Sequence, residues 1–240
     1  PNAVPRFFSS FRDMVMQKVT NFKWVPKENA TDTVFKALQP AIRFTKEECL
    51  DLPDMVYVKR TVEMTRQQKK YYKQLKDTMV MQAAGEQITA ANAAVNMNKL
   101  LQISSGAVYT DDGDSLEFDI KHRYKVLREV IDESTKKVLV FVPFKHVIDI
   151  LADKLVDDGI PTEIIRGDVG AAKRTDIFKR FQTSASPQVL VIQPAAAAHG
   201  VTLTAANTVV WWGPTSSLET YAQANARVHR SGQDHKCTVV

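Results

Sequence analysis

Residues 138–143, with the sequence VLVFVP, form an uninterrupted apolar run. A strand that is covered by helices on both faces has no polar side, so such a run is typical of the interior of a parallel sheet. Short apolar segments of the same kind follow at residues 162–167, 188–193 and 208–213, and a fifth begins at residues 236–240. This spacing predicts five strands that belong to one sheet.

Amphipathic stretches separate these apolar segments and predict helices at about residues 145–158, 171–181 and 218–230. Strands that alternate with helices in this way form a parallel α/β sheet covered on both faces, with right-handed crossovers. Ligands of such sheets bind beyond the C-terminal ends of the strands. The loops that follow the strands are therefore candidate sites.

The sequence upstream of residue 135 predicts a mostly helical extension. Residues 57–64 alternate in character and predict one strand, and Thr65 with Gln68 matches the capping-box pattern that begins a helix. Three helices are predicted from there on, at Arg66 to about Ala84, at about Ala90 to Ser104 and at about Lys121 to Ser134.

The composition is that of an ordinary globular protein, with 44% hydrophobic and 25% charged residues. No apolar run approaches the roughly 18 residues that a membrane-spanning helix needs. Cys49 and Cys237 are far apart in the sequence and suggest neither a disulfide framework nor a metal site, so a reducing cytoplasm and no membrane contact are expected. The net charge of +5 permits nucleic-acid binding, although many basic proteins bind none.

The segment QANARVHRSGQ, residues 223–233, carries the most specific pattern of the chain. On the predicted last helix, Arg227 and Arg230 share one face, with Gln223 one turn earlier and Gln233 just past the helix end. Two guanidinium groups on one rigid face suit a transferring phosphoryl group, whose transition state spreads negative charge over several oxygens. By spacing alone, surface ion pairs or binding of a phosphate backbone explain the pair equally well.

This segment resembles motif VI of superfamily 2 helicases in its Snf2-family form, with Ala226 where relatives usually carry glycine or aspartate. Motif V resembles the family less closely, because Ala197 and Ala198 stand where two glycines are common. The other motifs occur in family order: residues 138–151 resemble motif IV, 164–182 the next strand, turn and helix, and 189–214 motif V with the strand after it. The chain thus resembles the second lobe of a Snf2-type motor of a phage or bacterial type.

The resemblance implies a domain organisation and an activity. It implies a RecA-like α/β lobe at residues 135–240, truncated at its C-terminal strand, after a helical linker region at 57–134 and the end of a first lobe or its bridge at 1–56. It implies an ATP-dependent translocase on double-stranded DNA, monomeric, in the cytoplasm of a bacterium or a phage-infected cell. The alternatives are a strand-separating superfamily 2 helicase, a restriction-system motor, or a non-catalytic DNA- or protein-binding module.

The resemblance also assigns site residues. Arg227 and Arg230 are expected to be catalytic arginine fingers for ATP, which is bound with Mg²⁺ mainly on the first lobe. The ATP contacts expected on this chain are Gly200, Gln223, Arg227, Arg230 and Gln233. Contacts with the DNA backbone, which hold the duplex without selecting its sequence, are inferred from the fold and not from the resemblance, and a solvated face is the alternative for each lysine. The candidates are Phe144, Lys145, Arg166, Gly167, Lys173, Arg174 and Thr202.

Two parts of an ATPase site are missing from the sequence. There is no G-x-x-x-x-G-K-[ST] segment, so nothing cradles the β- and γ-phosphates as a P-loop does. There is no Walker B acidic box either, because DEST at residues 132–135 falls at a helix end and not at a strand end. In the Snf2 family both parts lie on the first lobe, which is therefore the expected partner. Alone, this chain is expected to be inactive, and no metal site is expected on it.

Overall fold

The computed structural model describes residues 4–42, 44, 49–85, 90–110, 113–198 and 200–240, without the side chains of residues 82–85, 90–92 and 197–198. His199 and the side chains of Ala197 and Ala198, on which the motif V comparison depends, lie outside the described part. The chain divides into two compact units, residues 1–51 and 52–240. Within the described ranges, no helix is long and apolar enough to cross a membrane.

The first unit contains two short helices and a hairpin. Helix α1 (Phe8–Val15) leads into strand β1 (Met16–Lys18), which pairs antiparallel with β2 (Trp24–Pro26), and α2 (Ala30–Leu38) follows. The Arg12 guanidinium lies 3.9 Å from the centre of the Trp24 ring, so a cation–π contact joins α1 to the hairpin. The short helices agree with the sequence prediction, whereas the hairpin is not predicted.

The second unit begins with strand β3 (Met55–Tyr57) and continues through a helical part. The three predicted helices are present close to their predicted bounds, and the capping box is confirmed. The Thr65 N–H donates to Gln68 Oε1 at 3.0 Å, and the Gln68 N–H donates to Thr65 Oγ1 at 3.4 Å. The elements are α3 (Arg66–Gly85), α4 (Ala90–Ser105), the antiparallel strands β4 (Ala107–Tyr109) and β5 (Ser115–Glu117), and α5 (Lys121–Glu133).

A six-stranded sheet forms the centre of the second unit within the described residues. Its further elements are β6 (Lys137–Phe141), α6 (Lys145–Asp157), β7 (Thr162–Ile165), α7 (Ala171–Thr183), β8 (Val189–Ile192), a 3₁₀ helix (Pro194–Ala198), β9 (Ala206–Trp211), α8 (Leu218–Asn225) and β10 (Cys237–Val239). The strand order is β3-β10-β9-β6-β8-β7, and all neighbours are parallel. The predicted RecA-like α/β architecture, with its five strands after residue 135, is confirmed.

Strand β6 shows why the sheet is covered on both faces. Val138 and Val140 belong to an apolar layer with residues of α5 and α6, whereas Leu139 and Phe141 belong to a second layer with residues of α7 and α8. All four side chains are 0% exposed. Since successive residues of a strand face opposite sides, a strand that is apolar at every position has to be covered twice.

The strand predicted at residues 57–64 is wrong in its extent. The strand is β3, and the chain after it runs to Thr65 without regular secondary structure. β3 lies at the edge of the sheet, where its neighbour β10 has only three residues. The Val58 N–H donates to the Val239 carbonyl at 2.7 Å, and the later alternating residues have no strand to pair with.

Candidate functional site

The arginine segment, which we define as residues 226–233, lies in turns after α8. The prediction of a helix to Arg230 is wrong over its last turn, because α8 ends at Asn225. The carbonyl of Arg227 accepts a hydrogen bond from the backbone N–H of Leu203 at 2.9 Å, which withdraws it from a helical ladder. Arg227 and Arg230 are therefore close in sequence but do not share a helix face.

A second segment, residues 200–206, holds the arginine segment. Besides the bond from Leu203, Arg230 Nη1 donates to the carbonyl of Val201 at 3.3 Å. Segment 200–206 leads into the first residue of β9, and the arginine segment leads towards β10. The two segments thus meet near the end of the sheet at which β9 and β10 begin.

Gln233, expected to contact ATP, is a buried residue that joins these two segments. Its side-chain Nε2 lies within hydrogen-bond distance of the carbonyls of Ala206 at 2.8 Å, Val228 at 3.2 Å and Thr204 at 3.4 Å. Its Oε1 accepts from the His235 N–H at 3.0 Å, and Gln233 is 5% exposed. The amide is fully engaged within the chain, so the structure places it in support of the arginines.

The two arginines influence each other electrostatically. The pKa of Arg227 is lowered by partial burial and then by the positive charge of Arg230. Both guanidinium groups are half-buried. A half-buried guanidinium that lies close to a second cation is a favourable position for an anion.

The other residues expected to contact ATP are more exposed. Gln223 lies on α8, where its Nε2 donates to Glu219 Oε1 at 2.9 Å. Gly200 is exposed, and a Cβ at its position meets no atom within 4 Å, so the backbone there is open to approach. Thr202, expected to contact DNA, is exposed on the same segment and not beside the other DNA candidates.

A polar cluster, consisting of Lys145, Asp149, Arg166 and Asp168, lies where β6 and β7 end. Arg166 Nε donates to Asp168 Oδ1 at 2.8 Å, and Arg166 Nη1 forms an ion pair with Asp149. Partial burial lowers the pKa of Arg166, but the charges of Asp149 and Asp168 outweigh it and raise that pKa overall. Lys145 Nζ lies 4.0 Å from Asp168, so two cationic side chains, those of Lys145 and Arg166, converge on the Asp168 carboxylate.

The remaining DNA candidates near this polar cluster differ in their exposure and in their hydrogen bonds. Arg174 Nη2 donates to the carbonyls of Arg166 at 3.3 Å and Val169 at 3.1 Å, so it supports the turn after β7. The Gly167 N–H donates to Gln193 Oε1 at 3.3 Å. Lys173 is exposed and borders a cavity of about 430 Å³ together with Arg166, and Phe144 is half-buried against the core at the start of α6.

Asn225 is a residue that the sequence reasoning missed. It is 3% exposed, and its Oδ1 accepts from Trp211 Nε1 at 3.0 Å. The Trp211 ring stacks on Phe141 with ring centres 4.7 Å apart, so Asn225 joins the end of α8, just before the arginine segment, to β9. The signal in the sequence is the strand-end tryptophan itself, since a partly buried indole N–H needs an acceptor.

The His229 side chain contacts a segment that is distant in the sequence. Its Nε2 lies 2.7 Å from the carbonyl of Pro53, two residues before β3. The contact is made across the end of the sheet because β3 is the neighbour of β10. Among the described residues, no group of His, Cys, Asp or Glu side chains is arranged to hold a metal ion.

Comparison with known proteins identifies this arrangement. Residues 122–232 match the family model of the helicase conserved C-terminal domain. The CHD3-type chromatin-remodeling factor PICKLE of Arabidopsis thaliana is 25% identical over 241 residues, which cover 91% of this chain and 17% of PICKLE. The chain spans about a fifth of the length of the first curated relatives it matches.

Two solved structures share the fold. The C-terminal part of the Fun30 ATPase domain matches with a TM-score of 0.62 and 16% identity, over 79% of this chain and 85% of that one. The Sulfolobus solfataricus SWI2/SNF2 ATPase core in complex with double-stranded DNA matches with a TM-score of 0.60 and 21% identity, over 97% of this chain and 50% of that one.

The parallel sheet, the helicase C-terminal domain and these structural matches define the class as a RecA-like lobe of a superfamily 2 helicase-like protein. Within that class the chain belongs to the Snf2 family, of which it carries the C-terminal lobe. The predicted family is confirmed, whereas its phage or bacterial type stays a prediction.

Proposed function

We propose that this chain is the second motor lobe of an ATP-driven translocase on double-stranded DNA. Arg227 and Arg230 act on ATP that is bound with Mg²⁺ on a first lobe of the same protein. The observation that carries the proposal is the half-buried arginine pair, fixed by segment 200–206, in a chain that has no P-loop of its own. The matched Fun30 and Sulfolobus structures, which are described as ATPases, support it.

The arginine pair acts by stabilising charge. Mg²⁺, when bound with ATP, neutralises part of the charge on the phosphate oxygens. The two guanidinium groups bind the γ-phosphate oxygens from the opposite side of the cleft and stabilise the charge that spreads over them in the transition state. Because Leu203 and Gln233 fix the segment before ATP arrives, little reorganisation is needed during the reaction.

DNA is proposed to lie against the polar cluster at the other end of the sheet. The charge of Arg166 is already balanced by two carboxylates, and Arg174 is occupied by backbone carbonyls. Lys145 and Lys173 are the exposed cations of that region and are the side chains best placed to reach phosphates. The matched Sulfolobus structure, a complex with double-stranded DNA, supports this assignment.

One loop connects the two proposed sites. It begins after β8 at Gln193, which accepts from Gly167 beside the polar cluster at 3.3 Å. It ends in segment 200–206, which is bonded to the arginine segment. We propose that movement of DNA at one end of the sheet is transmitted through this loop to the arginines at the other end, as gating motions of motor lobes require.

The isolated 240-residue chain is expected to hydrolyse no ATP above background, since nothing in it cradles the β- and γ-phosphates. A polypeptide that also contains the P-loop lobe is expected to turn over ATP and to be stimulated by duplex DNA. A coupled phosphate-release assay with and without DNA measures both. Turnover by the isolated chain that disappears in its Arg230→Ala variant contradicts the assignment of this lobe.

Replacing Lys145 and Lys173 with glutamine is expected to weaken duplex binding without regard to sequence. Each lost phosphate contact reduces the magnitude of the negative slope of log K against log salt by about 1, so in the double variant the magnitude falls by about 2. Fluorescence anisotropy with a labelled duplex at several salt concentrations measures the slope. Lys125→Gln with Lys179→Gln is the matched control, because both lysines are exposed on α5 and α7. Equal slopes in the two variants contradict the proposed DNA contacts.

A monomeric motor in the cytoplasm of a bacterium or a phage-infected cell stays a prediction from the sequence.

A further inference from the structure

A row of basic side chains runs along one side of α3. This helix carries five basic residues and a single acid, Asp77. At about 100° of rotation per residue, all five basic positions fall within about a third of the circumference. They are Arg66, Lys69, Lys70, Lys73 and Lys76, all exposed, and we call them the basic stripe.

The opposite side of α3 attaches the helix to the rest of the unit. Gln68 is 5% exposed, and its Nε2 donates to the carbonyl of Ile103 on α4 at 3.0 Å. The Tyr71 ring meets Phe118 edge-on, with ring centres 5.4 Å apart. Three further side chains on this side are half-buried: Tyr72, Leu75 and Met79. The basic stripe therefore faces outward from a helix that is fixed by its other side.

The charge of the basic stripe is largely uncompensated. Within the described part of the chain, no carboxylate forms an ion pair with Lys70, Lys73 or Lys76. Lys69 pairs with Glu63 at 2.8 Å, but both groups are exposed, and such pairs contribute little in water. Five cations and one anion leave α3 with a net charge of +4 (5 − 1).

We infer that the basic stripe binds the phosphate backbone of double-stranded DNA, as a contact surface separate from the polar cluster. The inference rests on the proposed function. From Arg66 to Lys76 the stripe rises about 15 Å at 1.5 Å per residue, and its cations are about 4.5 Å apart along the axis except for the adjacent Lys69 and Lys70, which are about 1.5 Å apart. Phosphates follow one another every 3.4 Å or so along each strand of a duplex. Lysines at this spacing hold a backbone as point charges and read no bases.

Duplex DNA fits the basic stripe better than an acidic protein does. Protein interfaces have an apolar centre, whereas interfaces with DNA are more polar and more positively charged. Between Arg66 and Lys76 the stripe contains no apolar side chain, because Tyr71, Tyr72 and Leu75 lie on the attached side. A helix fixed along its length also keeps the cations in place, which reduces the entropy lost on binding.

The test compares four variants of the 240-residue chain with the parent chain by fluorescence anisotropy with a labelled duplex at several salt concentrations. The first is Lys70→Gln with Lys73→Gln and Lys76→Gln. The second, Lys125→Gln with Lys179→Gln and Lys236→Gln, removes the same charge from exposed lysines elsewhere. The third is the Lys145→Gln with Lys173→Gln variant. The fourth, Lys70→Arg with Lys73→Arg and Lys76→Arg, keeps the charge and is expected to bind like the parent chain.

The stripe variant is expected to bind about tenfold more weakly and to lose about 2.7 from the salt slope, at about 0.9 per phosphate contact, beyond the loss in the control. If the stripe variant binds the duplex as tightly as the control while the Lys145→Gln with Lys173→Gln variant binds more weakly, the inference about the basic stripe is overturned and the proposed function is not. If the stripe variant binds the duplex more weakly than the control while the Lys145→Gln with Lys173→Gln variant does not, the result supports DNA binding by the basic stripe and contradicts DNA binding by the polar cluster. A parent chain that binds no duplex overturns both. A stripe variant that loses polyglutamate binding but keeps duplex binding overturns the inference in favour of an acidic protein partner.

Discussion

Arg230→Ala is expected to abolish DNA-stimulated ATP hydrolysis by the polypeptide that contains both lobes, while duplex binding stays intact. Arginine fingers are worth about 10³–10⁵ in kcat, so the loss is expected to be at least about a thousandfold. The physical reason is that Arg230 is fixed by its bond to the Val201 carbonyl at 3.3 Å and, under the proposed function, stabilises charge that develops only in the transition state. Steady-state hydrolysis at saturating DNA and ATP gives kcat, and anisotropy gives duplex affinity.

Two further variants test whether the loss of activity comes from the charge of Arg230, from the geometry of its guanidinium group, or from the removal of any arginine. Arg230→Lys keeps the charge but loses the planar fork, so its expected kcat lies between those of Arg230→Ala and the parent protein. Arg128→Ala is a control for an arginine elsewhere, since Arg128 on α5 pairs with Asp132 and Asp158. Full activity in Arg230→Ala would sink the arginine-finger assignment and favour a non-catalytic DNA- or protein-binding module.

The kind of motor is decided by a different measurement. Translocation along a duplex displaces a bound triplex-forming strand without separating the duplex, whereas a strand-separating helicase releases one of the two paired strands. The two-lobe polypeptide is expected to give triplex displacement alone. Release of a duplex strand contradicts the translocase proposal and supports the helicase alternative.

Much of the sheet can be predicted from the sequence because its strands are buried on both faces. The residues of VLVF in β6 alternate between the two apolar layers, so a strand that is covered on both faces buries all four of them. The Thr65 and Gln68 capping box is equally local, because both partners lie within one turn. Elements of this kind depend on neighbours in sequence or on burial alone.

The features that escaped prediction depend on partners that are distant in sequence. The end of α8 is set by the bond from Leu203 to the Arg227 carbonyl, 24 positions away (227 − 203). The extent of β3 is set by β10, and the His229 contact is made with Pro53, 176 positions away. The motif identified the arginines, but their conformation depends on a loop whose position only the folded chain defines.

Gln233→Glu is expected to destabilise the isolated chain by about 3–5 kcal/mol at pH 7, the cost of a buried and unpaired charge. The Gln233 amide nitrogen lies within hydrogen-bond distance of three carbonyls, of which that of Ala206 is nearest at 2.8 Å. A carboxylate has no hydrogen to donate, so its negative oxygen faces carbonyl oxygens in a site that is 5% exposed. Urea unfolding followed by circular dichroism measures the loss, with Gln188→Glu as the exposed control.

The pH dependence of the destabilisation by Gln233→Glu tests whether a buried carboxylate causes it. Burial beside carbonyls raises the pKa of the introduced carboxyl above its unfolded value of about 4.3, because the protonated form can donate one hydrogen bond. Between the two pKa values the folded state then binds more protons than the unfolded state, so the free energy of unfolding rises as the pH falls. The deficit relative to the parent chain is therefore largest at neutral pH and shrinks towards pH ~5. A deficit in the free energy of unfolding that is small at pH 7, or equal at pH 7 and pH ~5, contradicts the role of Gln233 in joining segment 200–206 to the arginine segment. Such a result would mean that the Gln233 amide is available for the ATP contact that the motif resemblance assigns to it.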